Sequence, residues 1–123
     1  MARGFWYNAY MINFVIAMDS EAAPVLANMQ GVREQKICGK KVYLGTICGE
    51  EACVIVCGVG KVNAACGAFL AADRFGAEAI INVGVAGALN QSMQVGAIYA
   101  ISHACQYDFD LVQLNGTPIG MLN

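Results

Sequence analysis

The stretch Val54-Ile55-Val56-Cys57-Gly58-Val59-Gly60-Lys61-Val62-Asn63-Ala64-Ala65 runs from an apolar segment through two glycines into a small-residue helical pattern. It reads as a buried strand, a tight turn and a helix packed closely on a sheet. Such a junction leaves backbone N–H groups free at a helix N-terminus, where an anion or a polar ligand can sit. Alone it carries little weight, but two similar junctions stand at residues 17–21 and 84–88.

Outward from this point the chain alternates strands and helices. Residues 12–18 read as a short buried strand, and Asp19-Ser20 then offers a helix N-cap with Glu21 in the first turn. That helix would run to Met29, tolerate Pro24 near its start and end at Gly31. Residues 33–58 read as three strands, Gln35–Cys38, Val42–Cys48 and Ala52–Cys57, joined at Gly39-Lys40 and Gly49-Glu50. Residues 61–75 form a helix with Val62, Ala65, Cys66, Phe69 and Ala72 as its apolar face. Ala79–Val83 is a further buried strand that enters Gly84-Val85-Ala86-Gly87-Ala88. Val95-Gly96 opens a last strand through about Cys105, and residues 114–120 read as loop. The order β-α-βββ-α-β-β predicts an α/β fold, a mixed central β-sheet with flanking helices. Ligands of open α/β sheets bind at the carboxyl ends of the strands, so a pocket lined by 17–21, 57–61 and 83–87 is expected.

Bulk properties narrow the function classes. The 123 residues are 58% apolar and 13% charged, which calls for a sheet covered on both faces, a large interface or a missing cover. A net charge of −2 gives no footprint for nucleic acid. No apolar stretch is long enough to span a bilayer. Asn8 and Asn13 interrupt the apolar region after Arg3, and Asp19 and Glu21 follow it without a small-x-small cleavage site, against a secretory signal. The domain is therefore placed at 11–123, with 1–10 as an N-terminal tail. Six cysteines without a CxxC, and a single histidine, give no zinc pattern; they read as reduced core thiols of a cytoplasmic protein. Cys53 and Cys57 are expected on one strand face. No metal site is expected.

Ala17-Met18-Asp19-Ser20-Glu21, Cys57 through Ala65, and Ile81 through Leu89 resemble the nucleoside phosphorylase superfamily, and within it the 5′-methylthioadenosine/S-adenosylhomocysteine nucleosidases. Val95-Gly96-Ala97-Ile98 and Tyr107-Asp108-Phe109-Asp110-Leu111 resemble the next two landmarks, so the resemblance covers about residues 11–120. It implies a nucleoside phosphorylase-like fold and hydrolysis of an adenine N-glycosidic bond in methionine salvage. It implies no cofactor, a small-molecule nucleoside as substrate, and a homodimer. The transition state would be oxocarbenium-like, with water attacking the anomeric carbon and adenine leaving as it is protonated at N7. Glu21 matches the glutamate that holds the water, Val59 a position lining the sugar and alkylthio pocket, and Val85, Ala86 and Gly87 the turn beneath the ribose.

The chain departs from the family pattern in three places. Many relatives carry serine where Val85 stands, so that hydroxyl is missing. Val112-Gln113-Leu114-Asn115 lacks the aromatic that relatives pass into the partner's pocket. No stretch matches the Met-Glu pair that grips the ribose hydroxyls or the Ser-Asp that carries the general acid. The chain thus reads as a fragment, the N-terminal portion of a truncated nucleoside phosphorylase-like domain, inactive or nearly so alone because acid assistance and purine positioning are both absent.

Two other readings compete. A purine nucleoside phosphorylase relative would bind phosphate at the first turn, where Asp19 and Glu21 would repel it. A non-catalytic, truncated ligand-binding or dimerising module would expose an apolar patch. Gly58-Val59-Gly60 does not extend to GxGxxG, because Asn63 holds the third glycine's place. Lys61 reads as a solvated helix-start residue, His103 as a hydrogen-bonded sheet residue, and Asp108 and Asp110 as loop carboxylates.

Overall fold

The computed structural model describes residues 11–106, 108 and 110–118. The tail assigned to 1–10 lies outside them, as do Tyr107 and Phe109 of the fifth landmark. The chain divides into two compact units, the first ending at Ala86 and the second starting at Gly87.

The first unit is built on one five-stranded sheet: β1 (Ile12–Ile16), β2 (Gln30–Ile37), β3 (Lys40–Ile47), β4 (Glu50–Val56) and β5 (Ile80–Val83), in the order β2-β3-β4-β1-β5. β1 pairs in parallel with both β4 and β5, while β2, β3 and β4 are antiparallel neighbours. Helices α1 (Asp19–Leu26) and α2 (Lys61–Phe75) pack on opposite faces. The alternation of the strands sorts the core. Val15, Cys53, Ile55 and Cys57 join Leu70, Ala71 and Phe75 on the α2 side. Phe14, Ile16, Ala52 and Val54 join Ala22 and Met29 on the α1 side. Near-continuous apolar β1 and β4 follow from this, since both strand faces are buried. Cys53 and Cys57 share a face as expected.

Several sequence expectations are corrected. The N-cap of α1 is Met18, not Asp19 or Ser20, and the helix ends at Leu26 with Ala27 as C-cap. Gly31 does not stop a helix; it lies within β2 at φ +63°, where the β2–β3 register shifts between Gln30 and Arg33. A glycine after an apolar helix and a bulge glycine look alike in sequence, and strand pairing decides between them. Both hairpins are tighter than read: Cys38-Gly39 (φ 49° and 79°) and Cys48-Gly49 (φ 52° and 86°) are two-residue loops with positive φ at both positions, as type I′ turns require.

The buried face of α2 is also different. Gly67, Leu70, Ala71 and Phe75 are buried, whereas Val62, Ala65, Cys66, Phe69 and Ala72 are exposed. The middle of the helix, residues 64–72, is apolar all round, so periodicity could not choose its face. Close approach chose it: a Cβ on Gly67 would stand 2.7 Å from Cys57 Cβ and 2.9 Å from Val15 Cγ1. Only two of the six free cysteines, Cys53 and Cys57, are buried; Cys38, Cys48, Cys66 and Cys105 are exposed. The two turn cysteines sit on hairpin tips, outside the apolar layers.

In the second unit the strand expected over 95–105 does not form. Apolar residues there give the composition of a strand, but none of the described ones has a ladder partner. A short helix, α3 (Val112–Asn115), stands where loop was expected, closed by a bridge between Leu111 and Thr117. His103 is exposed and off any strand, with Nδ1 2.9 Å from Ser102 Oγ. Asp110 accepts a hydrogen bond from Val112 N at 2.9 Å, the loop role read for it. Among the described residues, no helix is long and apolar enough to cross a membrane.

Candidate functional site

The parallel strands β1, β4 and β5 bring their carboxyl ends to one edge of the sheet, and their following turns carry the residues singled out in the sequence. Pairing of β1 with β4 continues past the strands through Cys57 N to Ile16 O at 2.8 Å and Gly58 N to Ala17 O at 3.1 Å. The first two turns are thus held side by side.

Glu21 is the third residue of α1. Its Oε2 accepts the Met18 backbone N–H at 3.1 Å, which caps the helix start. Its Oε1 accepts the Val85 backbone N–H at 3.0 Å. The third turn is therefore tied to the first through one carboxylate. Gly84 permits the approach, since a Cβ there would lie 3.2 Å from Oε1. Glu21 is half-buried. Each carboxylate oxygen has two lone pairs, so both retain one acceptor position after these bonds. This is a carboxylate fixed by two backbone donors with capacity left for a water.

Beside it lies a cleft of about 540 Å³ lined by Ala17, Met18, Asp19, Val56 through Val59 and Asn63, and by Cys38 through Lys41 of the β2–β3 hairpin. The pocket expected from three turns is formed by two of them plus that hairpin. Val59 lines it and is 68% exposed. Val85 is bound to Glu21 through its backbone, with its side chain 82% exposed. Ala86 is the last residue of the first unit and Gly87 opens the second. A second hollow of about 350 Å³, lined by Met11, Arg33, Gly45 and Glu51 among others, is at the opposite ends of the strands.

Polar residues that sequence reading missed shape the cleft. Lys41 Nζ lies 2.9 Å from both carboxylate oxygens of Asp19. This hydrogen bond and the Asp19 charge raise the Lys41 ammonium above its ordinary pKa of 10.5. Lys40 Nζ donates to Cys57 O and, at 3.1 Å, to Asn63 Oδ1. Asn63 Nδ2 in turn donates to Val59 O at 2.8 Å. Lys40 and Asn63 thus clasp the glycine turn from two sides. The Gly39-Lys40 turn was legible, but that the hairpin tip reaches the end of β4 follows only from sheet order. Burial pushes the Cys53 thiol up to about 12. Burial, with help from Glu34, raises the Tyr43 phenol.

Similar proteins share both sequence and fold. The phosphorylase superfamily model matches residues 12–116. A 5′-methylthioadenosine/S-adenosylhomocysteine nucleosidase of Listeria monocytogenes serotype 4b is 38% identical over 106 residues, covering 86% of this chain and 46% of that protein. The crystal structure of the nucleosidase of that name from Neisseria meningitidis, in complex with methylthio-immucillin-A, superposes with a TM-score of 0.85 at 26% identity, covering 92% of this chain and 48% of that one. The futalosine hydrolase of Helicobacter pylori superposes with a TM-score of 0.82 at 25% identity, with the same coverage of 92% and 48%. The chain spans about half the length of the relatives it matches. The ordered turn motifs, the mixed sheet that gathers them at one edge, and a family match over most of the residues place this chain in the phosphorylase superfamily.

Proposed function

We propose that this chain supplies the water-side half of a nucleosidase that hydrolyses the adenine N-glycosidic bond of 5′-methylthioadenosine or S-adenosylhomocysteine. The observation that carries the reading is the Glu21 carboxylate, fixed by Met18 N and Val85 N at the carboxyl end of β1 with an acceptor position open on each oxygen. A water bound there would be polarised toward the anomeric carbon. Val59 would line the sugar and alkylthio side, and Val85, Ala86 and Gly87 would run beneath the ribose, with backbone contacts in place of the absent serine hydroxyl. The chain has no counterpart of the family's general acid, so the 123 residues alone are expected to release adenine slowly or not at all. Homodimerisation and a cytoplasmic site in methionine salvage belong to the same proposal.

Reading the source DNA beyond the Asn123 codon and assaying the full product tests this directly. Adenine release that needs no phosphate, and that falls about 10²-fold or more in Glu21→Gln, supports it. Full activity in the variant overturns the role of Glu21.

A second reading, phosphorolysis, gains from one observation. The charge of Asp19 is met by Lys41, so the first turn repels phosphate less than its sequence implied. Cleavage that requires phosphate would select this reading.

A further inference from the structure

Lys40 sits in the cleft with its charge unmatched. Lys41 is paired with Asp19, whereas both hydrogen-bond partners of Lys40 are neutral oxygens, Cys57 O and Asn63 Oδ1. It makes no ion pair among the described residues. An ammonium has three N–H donors, so one remains after these bonds. Lys40 is half-buried, and its stem is held in place by the clasp on the glycine turn. Met18 and Val59 line the same cleft. Asp19 lines it too, with its carboxylate held by Lys41. The cleft thus joins apolar side chains to one spare positive donor.

We propose that Lys40 makes this cleft selective for a substrate whose thioether tail ends in an amino acid, its carboxylate on Lys40. The inference rests on the nucleosidase reading and names which of two substrate types the site prefers. S-adenosylhomocysteine carries such a tail, and methylthioadenosine ends in a methyl group. The methyl would lie against Met18 and Val59 and leave the Lys40 donor to water. A charge-assisted hydrogen bond at a half-buried site is worth about tenfold in affinity over its absence. It weakens as salt rises.

The test is a titration of the ¹⁵N-labelled chain Met1–Asn123, followed through the amides of Gly39, Val59 and Asn63, with four probes: S-adenosylhomocysteine, methylthioadenosine, methionine and inorganic phosphate. Methionine is the tail without the nucleoside. The expected result is that S-adenosylhomocysteine binds about tenfold more tightly than methylthioadenosine, that Lys40→Met reduces this ratio to about one, and that Lys40→Arg keeps it. A structural role for the clasp alone would change both nucleosides together and would not move the ratio. A wild-type ratio near one, with both nucleosides bound, overturns the Lys40 assignment and leaves the nucleosidase reading standing. Methionine shifting these resonances while neither nucleoside binds keeps Lys40 as an amino-acid site and overturns its selectivity between the nucleosides. Silence from all four probes overturns the Lys40 assignment, while the nucleosidase reading stands or falls on adenine release by the full product. Phosphate displacing S-adenosylhomocysteine from Lys40 overturns the amino-acid assignment in favour of an inorganic oxyanion.

Discussion

Glu21 and Val85 lie 64 residues apart and meet through one hydrogen bond, Val85 N to Glu21 Oε1 at 3.0 Å. The same carboxylate caps α1 through Met18 N at 3.1 Å. Glu21 is therefore both a structural clamp and the candidate water-side carboxylate. Gln at this position offers only one acceptor oxygen, so one of the two backbone donors would face an NH₂ group. Glu21→Gln is expected to cost about 1–2 kcal/mol of folding stability, measured by urea unfolding, besides the loss of activity. An unchanged unfolding midpoint would show that the clamp is not used.

Gly67→Ala in α2 sets two effects against each other. Helix propensity favours alanine by about 1 kcal/mol. The new Cβ, however, would fall 2.7 Å from Cys57 Cβ and 2.9 Å from Val15 Cγ1, both on packed strands. Overpacking of this kind costs about 1–3 kcal/mol, so net destabilisation of up to about 2 kcal/mol is expected in thermal or urea melts. A stabilised variant would mean that α2 can lift from the sheet.

Cys48→Asn tests the hairpin chemistry. Cys48 holds φ 52° ahead of Gly49 at φ 86°. Cysteine pays for that conformation, and Asn-Gly is the preferred pair in a type I′ turn. A gain of about 0.5 kcal/mol is expected, read as a higher urea midpoint with an unchanged slope.

Alkaline pH should weaken the fold through three groups that act with one sign. The Cys53 thiol is raised from 9.0 to about 12 by burial, so above pH 9.0 the unfolded chain loses that proton while the folded chain keeps it. Stability then falls with pH, by at most about 1.4 kcal/mol per pH unit for one group. The raised Tyr43 phenol adds to the fall above its ordinary 10.0. The Lys41–Asp19 pair also adds to it: its contribution is intact below 10.5 and is lost as pH rises through the higher folded value. Chemical unfolding followed from pH 8 upward should show the decline begin near pH 9, and Cys53→Ala should move that onset about a unit higher. An unshifted onset would remove Cys53 from the account.

Much of the fold was legible because it rests on local signals. Apolar runs in β1 and β4 marked buried strands, glycines marked the hairpin tips, and the α2 span of Lys61–Phe75 follows from a glycine turn before it and Gly76 after it. The run at 79–83 marked a strand, but β5 is an edge strand with Ile80 and Ile81 exposed, not the buried strand expected. The order of turns identified the family and named Glu21, Val59 and Val85 one at a time. Long-range geometry was not legible. Periodicity could not choose the buried face of a helix whose middle is apolar all round, nor tell a bulge glycine from a helix stop. It gave strand character to 95–105, where a ladder partner is needed to make a strand.

The sequence by itself determined the α/β class and marked the turns that follow the parallel strands, with Glu21 in the first helical turn after β1, because strand and turn preferences act over a few residues. Only the tertiary structure decided that Glu21 clamps the Val85 turn, that Lys41 neutralises Asp19, and that Lys40 enters the cleft with its charge unmatched. Those contacts join residues 17 to 64 positions apart. They exist because hydrogen bonding between strands sets β5 and β4 on either side of β1 and β3 beside β4, which carries the Val85 turn and the hairpin tip to the ends of the parallel strands.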